Sequence, residues 1–422
     1  MKFNCIVVHY SEIALKGKNR SYFEKLLMNN CKTKLSSLAI NSFQDMSQIV
    51  IESSTPEKAI PILEKIPGIT YFSLAVKIPL TQEDMEKTIV SLLKQQYSTH
   101  LLMGGRSGIC CAQEPLDMCK EEESCHQSIN RWFLTNKKFE TFKISTKRRK
   151  KESEFSSSKL NNELGQLVVD KFKKKAQMKN PDVDIKVELA DKFAYISLED
   201  IKGVGGFPTD QRQKVVALLS GGFDSPVAAF SLMKRGCEVI LVHFQNKNTL
   251  TKAVQNKVEQ IATQLSNFQI KTKLFIVPFE DIQKEIIKDV PANLRMLIYR
   301  RIMLKISSII ANKHKALFLV TGDSVSQVAS QTLDNLRAVY EESPLPIFTP
   351  LIGMDKQEII DLAKQIGTDE LSALPYGDCC SYFVPEHPNL RASAEKLIEI
   401  ESKLKIDLDK AEKDSQCLIL LQ

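Results

Sequence analysis

The sequence lacks any apolar run that approaches the roughly 20 residues of a membrane-spanning helix. Its opening, Met1-Lys2-Phe3-Asn4-Cys5, lacks the charged and apolar segments of a secretory signal peptide. The ten cysteines of this 422-residue chain are therefore expected to be reduced thiols rather than a disulfide framework. Together these absences predict a cytoplasmic protein that does not associate with membranes.

Metal-binding spacing is also lacking. One stretch contains five potential metal ligands: Cys110, Cys111, Cys119, Cys125 and His126. Their spacing matches no zinc or iron–sulfur pattern, so we predict no metal site there. Four further isolated cysteines are interpreted as core or incidental residues: Cys5, Cys31, Cys237 and Cys417.

Most of the chain has little net charge, and the excess of positive charge is concentrated in one region. The chain carries a net charge of +7, but residues 137–175 alone hold thirteen basic and five acidic residues, a net charge of +8. The excess lies mainly in 147–151 and 171–175, and this predicts a surface for a polyanion, with nucleic acid as the leading candidate. A solvated charged loop is the alternative. The length predicts two or three domains.

The most informative segment, 220–225, reads Ser-Gly-Gly-Phe-Asp-Ser. An apolar run of strand length, 214–219, precedes it, and an apolar helical segment, 226–233, follows. Pro226 suits the first helical turn and Gly236 the position just past the helix end. Backbone N–H groups and a helix dipole therefore converge on an anion site. A Walker-type P-loop is excluded because no Gly-Lys-Ser/Thr follows; an ordinary glycine turn is the alternative.

The pattern of elements changes at a glycine-rich stretch, 202–208. Before it, strands and helices mix without regular alternation, which predicts an α+β region. After it, strand segments alternate with helices, which predicts a parallel, doubly wound α/β sheet; these strands are 214–219, 238–244, 272–277 and 316–321. Asp355 and Glu358 predict a capping box at the start of a helix. The last thirty residues are expected to be helical and charged.

Several separated motifs resemble those of the tRNA 4-thiouridine synthetase family. The glycine loop is similar to the PP-loop signature Ser-Gly-Gly-x-Asp-Ser, and the other matching segments are 9–20, 142–148, 180–183, 202–206, 320–324, 327–332, 350–356 and 375–380. The resemblance covers nearly the whole chain. It implies an N-terminal ferredoxin-like domain (1–58), a THUMP RNA-binding domain with an insertion (59–200, insertion about 101–133), a glycine-rich hinge (201–213) and a PP-loop ATP pyrophosphatase domain (214–422).

The implied activity is ATP- and Mg²⁺-dependent transfer of sulfur to a tRNA uridine at the elbow of the acceptor and D stems. O4 of the uridine attacks the α-phosphate of ATP, and sulfur then displaces AMP from the adenylated base. The resemblance implies a cysteine desulfurase or another sulfur donor as a partner, and a homodimer. The resemblance is to the form of the family without a C-terminal rhodanese-like domain, so the sulfur carrier stays open, as does sulfur transfer to a sulfur-carrier protein for thiamine synthesis.

The resemblance also assigns site residues. Asp224 is expected to face a metal or to organise water. Arg300 is expected to bind a phosphate, and an exposed helix arginine without a ligand is an equal alternative. A histidine such as His243, taken by itself, is more typical of a buried core residue. The nucleotide contacts implied are Leu218, Leu219, Ser220, Gly221, Gly222, Asp224, Ser225, His243, Phe244, Arg300, Gly322 and Gln331.

Cys380, with Cys379 as the second candidate, is expected to handle sulfur, since a thiolate is the natural acceptor of sulfane sulfur; a buried apolar pair is the alternative. The tRNA contacts are expected at Lys143, Lys147, Arg148, Arg149, Lys150 and Lys151. Two other functions are considered. A different PP-loop ligase would need neither the cysteine pair nor the N-terminal region, and an RNA-binding protein with a vestigial ATPase would not need the intact loop.

Overall fold

The computed structural model describes residues 2–38, 40–45, 48–102, 139–149, 155–246, 251–375 and 388–421. These residues form two compact units, Met1–Gly205 and Gly206–Gln422. No helix among the described residues has both the length and the apolar character needed to span a bilayer.

The first unit is built on one mixed sheet. Its described strands run in the order β2-β3-β1-β4-β8-β7-β5-β6, with β9 paired to β4. Their bounds are Cys5–His9 (β1), Ile40–Asp45 (β2), Gln48–Ser53 (β3), Tyr71–Pro79 (β4), Thr141–Arg148 (β5), Lys175–Ala176 (β6), Val183–Leu189 (β7), Phe193–Ser197 (β8) and Ile201–Lys202 (β9). The long strand β4 pairs antiparallel with both β1 and β8, so the sheet is continuous across the unit.

Helices cover one face of this sheet at its β5 end. Leu160, Leu164 and Val168 form an apolar stripe that packs with Phe142 and Ile144 of β5 in one buried cluster. The helices are Arg20–Lys34 (α1), Ile60–Leu63 (α2), Gln82–Leu102 (α3) and Ser157–Phe172 (α4), and short 3₁₀ turns lie at Glu12–Leu15, Gly17–Asn19 and Pro56–Ala59.

The second unit contains the predicted parallel sheet. Its described strands run in the order β14-β13-β10-β11-β12-β15, with bounds Asp210–Leu218 (β10), Cys237–Gln245 (β11), Lys271–Pro278 (β12), Phe318–Val320 (β13), Ile347–Phe348 (β14) and Gln416–Leu421 (β15). The carboxyl-terminal parts of the two central strands, 215–218 of β10 and 239–244 of β11, are largely apolar and mostly buried, as is typical of strands covered on both faces.

One expectation about this unit is only partly correct. The last thirty residues contain the expected helices, Ala394–Ser402 and Leu408–Lys413, but they end in β15, which pairs antiparallel with β12. The physical reason is that β12 would otherwise expose a row of unpaired backbone groups, and a short run of β-forming apolar residues satisfies them. The sheet is therefore mixed at this edge.

Helices lie on both faces of the second sheet. Their bounds are Asp224–Lys234 (α5), Thr251–Ser266 (α6), Glu280–Asp289 (α7), Ala292–Lys313 (α8), Leu333–Tyr340 (α9), Lys356–Ile366 (α10), Asp369–Ala373 (α11), Ala394–Ser402 (α12) and Leu408–Lys413 (α13), with a 3₁₀ turn at Ala329–Gln331. The predicted capping box of Asp355 and Glu358 opens α10.

The chain order reverses direction between β10 and β13. From β10 the chain moves outward through α5 and α6 to β12, and then returns through α8 to β13 on the other side of β10. Because such crossovers are right-handed, α5 and α8 lie on opposite faces. A crevice therefore opens at the carboxyl ends of β10 and β13, which is where ligands bind in sheets of this kind.

Candidate active site

The glycine loop lies in this crevice, immediately after β10. The Ser220 N–H donates to Ser225 Oγ at 2.8 Å, and the two serine Oγ atoms are 2.9 Å apart. The Gly222 N–H donates to Ser220 Oγ at 3.3 Å. These bonds fold 220–225 into a tight turn that leads directly into α5. From the α11 side, Ser372 Oγ donates to the Gly222 carbonyl at 3.3 Å and holds the loop in place.

Gly322, after β13, touches the start of α5. A Cβ atom at this position would lie 2.8 Å from the Asp224 carbonyl carbon and 2.8 Å from the Ser225 nitrogen. A side chain cannot be accommodated there without a backbone shift, so glycine is required by close approach. The carboxyl end of β13 therefore forms one wall of the loop.

Asp224 has two partners that the sequence analysis did not identify. Lys356 Nζ lies 2.7 Å from Asp224 Oδ1, and Gln327 Nε2 donates to Asp224 Oδ2 at 3.0 Å. The ammonium of Lys356 also lies 5.5 Å from the centre of the Phe223 ring. Lys356 and Gln327 lie in two of the segments that resemble family motifs, 350–356 and 327–332. Nothing else in the sequence indicates that they contact Asp224. The structure thus places a partly exposed cation beside the loop.

Arg300 is engaged by protein groups. Its Nη2 donates to Asp323 Oδ2 at 2.5 Å, and its Nη1 donates to the Ser330 carbonyl at 2.9 Å. Gln331 Nε2 donates to Asp323 Oδ1 at 2.9 Å, and the Tyr340 hydroxyl donates to Asp323 as well. Asp323 thus connects two of the predicted nucleotide residues, and neither Asp323 nor Tyr340 was predicted.

The remaining predicted nucleotide residues lie at the ends of β10 and β11. His243 is buried, and its Nδ1 lies 2.9 Å from the Leu219 carbonyl oxygen. The Leu219 N–H donates to the Val242 carbonyl at 2.8 Å, which keeps the two strand ends in register. Phe244 is buried edge-on against Phe279, with ring centres 5.4 Å apart. Both ring side chains are therefore packed inside the unit at the carboxyl end of β11.

The basic region of the first unit is only partly described. Strand alternation places Lys143 and Lys147 on the face of β5 opposite the buried Phe142 and Ile144, so they point away from α4. Lys147 and Arg148 are exposed, whereas Lys143 is half-buried and lies beside Asp184 in the β5–β7 register. Lys150 and Lys151 lie outside the described residues.

Arg149 differs from these neighbours. Its Nη2 lies 2.5 Å from Glu188 Oε2, and His9 Nε2 lies 2.9 Å from Glu188 Oε1. His9 in turn stacks on Tyr71, with ring centres 4.3 Å apart. Burial alone would raise the pKa of Glu188, but hydrogen bonds and charges from His9 and Arg149 lower it to about 2. The Arg149 guanidinium is therefore paired with a buried carboxylate of the first unit.

The four cysteines that the structure describes are poor nucleophiles. Burial raises the pKa of Cys5 and of Cys31 to about 12, and it also raises the pKa values of Cys237 and Cys417. Cys379 and Cys380 lie outside the described residues, as do Cys110, Cys111, Cys119, Cys125 and His126. Within the described part of the chain, no group of three or more His, Cys, Asp or Glu residues is arranged to hold a metal ion.

Comparison with protein families divides the chain into three matches. Residues 5–73 match the ThiI ferredoxin-like domain, 122–199 match the THUMP domain, and 210–406 match the thiamine biosynthesis protein (ThiI) family. The first two matches fall in the first structural unit and the third falls in the second unit.

Curated relatives and a solved structure match over nearly the full length. A probable tRNA sulfurtransferase of Caldanaerobacter subterraneus subsp. tengcongensis is 37% identical over 402 residues, covering 94% of this chain and 95% of the relative. A probable tRNA sulfurtransferase of Bacillus subtilis is 34% identical over 406 residues, covering 95% and 92%. The crystal structure of a 4-thiouridine synthetase–RNA complex with bound ATP is similar at a TM-score of 0.82 and 30% identity, covering 99% and 100%.

Proposed function

Because this chain belongs to the tRNA 4-thiouridine synthetase family of tRNA sulfurtransferases, we propose that it converts a uridine at the acceptor/D-stem elbow of tRNA to 4-thiouridine through an adenylated base. ATP is the activating substrate. The observation that carries this proposal is the intact Ser220–Ser225 loop, held between β13 and α11 at the switch point of the sheet.

In the first step, O4 of the uridine attacks the α-phosphate and pyrophosphate leaves. The phosphates must be held while charge moves onto the leaving group, and backbone N–H groups at a helix start suit this task. Ser220, Gly221, Gly222 and Ser225 line the turn that opens α5, where the N–H groups of Ser220 and Gly222 brace the turn by donating to serine Oγ atoms. Tight hydrogen bonding of the two serines fixes the turn before any nucleotide binds, which lowers the cost of binding.

Lys356, rather than Arg300, is the cation available to the phosphates. Arg300 is neutralised by Asp323 and also bonds to the Ser330 carbonyl. Lys356 is 46% exposed and pairs with Asp224 at the mouth of the loop. An ammonium in this position can move from the carboxylate to a phosphate oxygen by rotating its flexible side chain. Asp224 then orients Lys356 as well as any metal that accompanies ATP.

Mg²⁺ fits this site to the extent that Asp224 offers the hard carboxylate oxygen that this ion prefers. When bound with ATP, it would supply charge neutralisation on the phosphates. The adenine base is proposed to lie at the carboxyl ends of β10 and β11, near Leu218, His243 and Phe244.

In the second step, sulfur attacks C4 of the adenylated base, the C4–O bond breaks, and AMP leaves with its electron pair. The resemblance to the family carries the assignment of this step to Cys380, with Cys379 as the alternative. Desolvation raises the pKa values of the four described cysteines, which makes those four less suited to the step. A persulfide delivered by a cysteine desulfurase would supply the sulfane sulfur, and a second thiol would be needed to release the product.

Binding of tRNA is proposed at the exposed face of β5. Lys147 presents its charge there, Lys143 is partly offset by Asp184, and Lys150 and Lys151 continue the basic run in the sequence. Arg148 is exposed at the end of β5 but lies on the opposite face by strand alternation. Arg149 is excluded from this surface because it pairs with the buried Glu188. We also propose a homodimer, a cytoplasmic location and a sulfur-carrier partner for thiamine synthesis; the last is favoured by the name of the family matched at 210–406.

The cysteine assignment is tested by separating the two steps. Cys380→Ser should still release pyrophosphate and form the adenylated base in the presence of tRNA, while yielding little 4-thiouridine with a persulfide donor. Cys379→Ser should be milder, and Cys417→Ser, which changes an exposed cysteine on β15, is the matched control. Excess sulfide that rescues Cys380→Ser indicates a carrier role, and lack of rescue indicates a role in transfer. Full thiolation by the Cys379/Cys380 double serine variant with the persulfide donor would refute the assignment.

A further inference from the structure

Asp323 follows β13 and is almost completely buried, at 5% exposure. Its carboxylate accepts hydrogen bonds from Arg300 Nη2 at 2.5 Å and from Gln331 Nε2 at 2.9 Å, and a further bond from the Tyr340 hydroxyl. The reaction steps described above do not use Asp323. It is a buried charge whose donors include two predicted nucleotide contacts.

The protonation state of Asp323 decides how Gln331 is oriented. Burial alone would raise the pKa of Asp323, but the Arg300 charge and hydrogen bonds from Tyr340, Thr321 and Gln331 lower it. The group is therefore ionised at neutral pH, and an ionised carboxylate can only accept hydrogen bonds. Gln331 must therefore turn its NH₂ group towards Asp323, and its carbonyl oxygen points elsewhere.

That carbonyl oxygen, Gln331 Oε1, is buried and has no hydrogen-bond partner among the described residues. A buried acceptor without a donor is costly, so the position of Oε1 suits a ligand that supplies one. Phosphate oxygens are acceptors and would be repelled by it. Arg300, neutralised by Asp323, does not offset that repulsion. This side of the crevice therefore suits a neutral hydrogen-bond donor.

We propose that Asp323 is a positioning residue that fixes Gln331 so that Oε1 accepts a hydrogen bond from a nucleoside donor group rather than facing a phosphate. Two bound nucleosides carry such a donor in the proposed reaction, on which this inference rests. One is the ribose hydroxyl of ATP. The other is N3–H of the target uracil. Cytosine has no hydrogen at N3, which is an acceptor in that base. If Gln331 binds uracil N3–H, it therefore also selects uridine over cytidine.

The test compares Gln331→Met, which keeps the length of the side chain but removes the acceptor, with the wild type. ATP, 2′-deoxy-ATP and 3′-deoxy-ATP are titrated calorimetrically, and kcat/KM is measured for tRNA with uridine or cytidine at the target position. If the donor is a ribose hydroxyl, the wild type should prefer ATP to one deoxy analogue by about fivefold to tenfold, as one hydrogen bond predicts, and Gln331→Met should lose that preference.

If the donor is uracil N3–H, Gln331→Met should bind all three nucleotides as the wild type does. Its kcat/KM for the uridine tRNA should then fall about fivefold to tenfold through KM, with a smaller difference between uridine and cytidine. Asp323→Asn should reproduce whichever pattern Gln331→Met shows, because a neutral amide no longer dictates the orientation of Gln331. Asp334→Asn, the same change at an exposed site on α9, is the control.

The inference is overturned if Gln331→Met matches the wild type within about twofold, the lower limit expected for one hydrogen bond, in nucleotide preference and in kcat/KM for tRNA. It is also overturned if Gln331→Met binds free pyrophosphate more weakly than the wild type does, since Oε1 would then not oppose phosphate. Wild-type protein that binds no ATP would instead refute the proposed function itself. These outcomes are distinct because calorimetry reports nucleotide binding without requiring turnover.

Discussion

Replacement of Lys356 by methionine should separate activity from stability. The Lys356 ammonium lies 2.7 Å from Asp224 Oδ1, and the lysine and aspartate side chains are 46% and 24% exposed. Methionine keeps much of the apolar stem that lies over the Phe223 ring and removes only the charge. Asp224 retains the hydrogen bond from Gln327, so no buried carboxylate is left without a donor.

The two expected magnitudes differ greatly. An exposed ion pair of this kind contributes about 0–1 kcal/mol to stability, because water screens it and side-chain entropy opposes it. The same charge acting on phosphates during bond cleavage should be worth more, since loss of one preorganised donor in an active site costs about 2.7–4 kcal/mol, or roughly 10²- to 10³-fold in rate. Activity should therefore collapse while the melting temperature stays within a few degrees.

The assay is pyrophosphate release from ATP in the presence of tRNA, with thermal melting of the same preparations. Lys364→Met is the matched control, because Lys364 lies on the same helix α10 and is 58% exposed beside Asp361; it should leave both measurements unchanged. Lys356→Arg should retain part of the rate. If Lys356→Met released pyrophosphate within about threefold of the wild type, well short of the loss expected for an active-site donor, the reasoning on the phosphate cation would be refuted.

Three further outcomes are expected. Gly322→Ala should destabilise the second unit by about 1–3 kcal/mol and abolish pyrophosphate release, because its Cβ would lie 2.8 Å from the Asp224 carbonyl carbon. The Glu188 carboxylate stabilises the first unit fully above its unfolded pKa of about 4.5, and this contribution is lost as pH falls towards about 2; urea titrations of Glu188→Gln at pH 6 and pH 3 should therefore show a smaller acid dependence than the wild type. Charge reversal at the basic residues of β5, made at Lys143, Lys147 and Arg148, should weaken tRNA binding. It should also lower the salt slope by about 0.9 for each phosphate that the protein no longer neutralises, as for duplex DNA.

Each of these has a control and a contradicting result. Gly353→Ala meets no atom within 4 Å and should be tolerated, so equal tolerance at Gly322 would contradict the close approach to α5. Glu163→Gln, on the half-exposed side of α4, should leave the acid dependence unchanged; an identical response at Glu188 would show that the cluster with His9 does not matter. A salt slope unchanged by the β5 reversal, or matched by reversal at Lys396 and Lys403, would identify the basic run as a solvated surface.

Local features could be predicted from sequence because they depend on neighbours in the chain. The 220–225 turn is closed by hydrogen bonds between its own serines, and the Asp355–Glu358 capping box spans one helical turn. The doubly wound sheet followed from the alternation of apolar strands and helices, and the structure confirms it. Strand β15 could not be predicted, because its stability comes from the free edge of β12 rather than from its own six residues.

The partners of the site residues come from tertiary packing. Arg300 looked suited to phosphate, but folding places it on Asp323, and Arg149 looked suited to RNA, but folding pairs it with Glu188. Lys356, 132 residues from Asp224 along the chain, reaches the loop only through the docking of α10 beside α5. The order of amino acids sets which groups can carry charge and where the backbone turns. Which charge remains available to a ligand depends on distances between residues far apart in the chain, and those exist only once the sheet and its helices have packed.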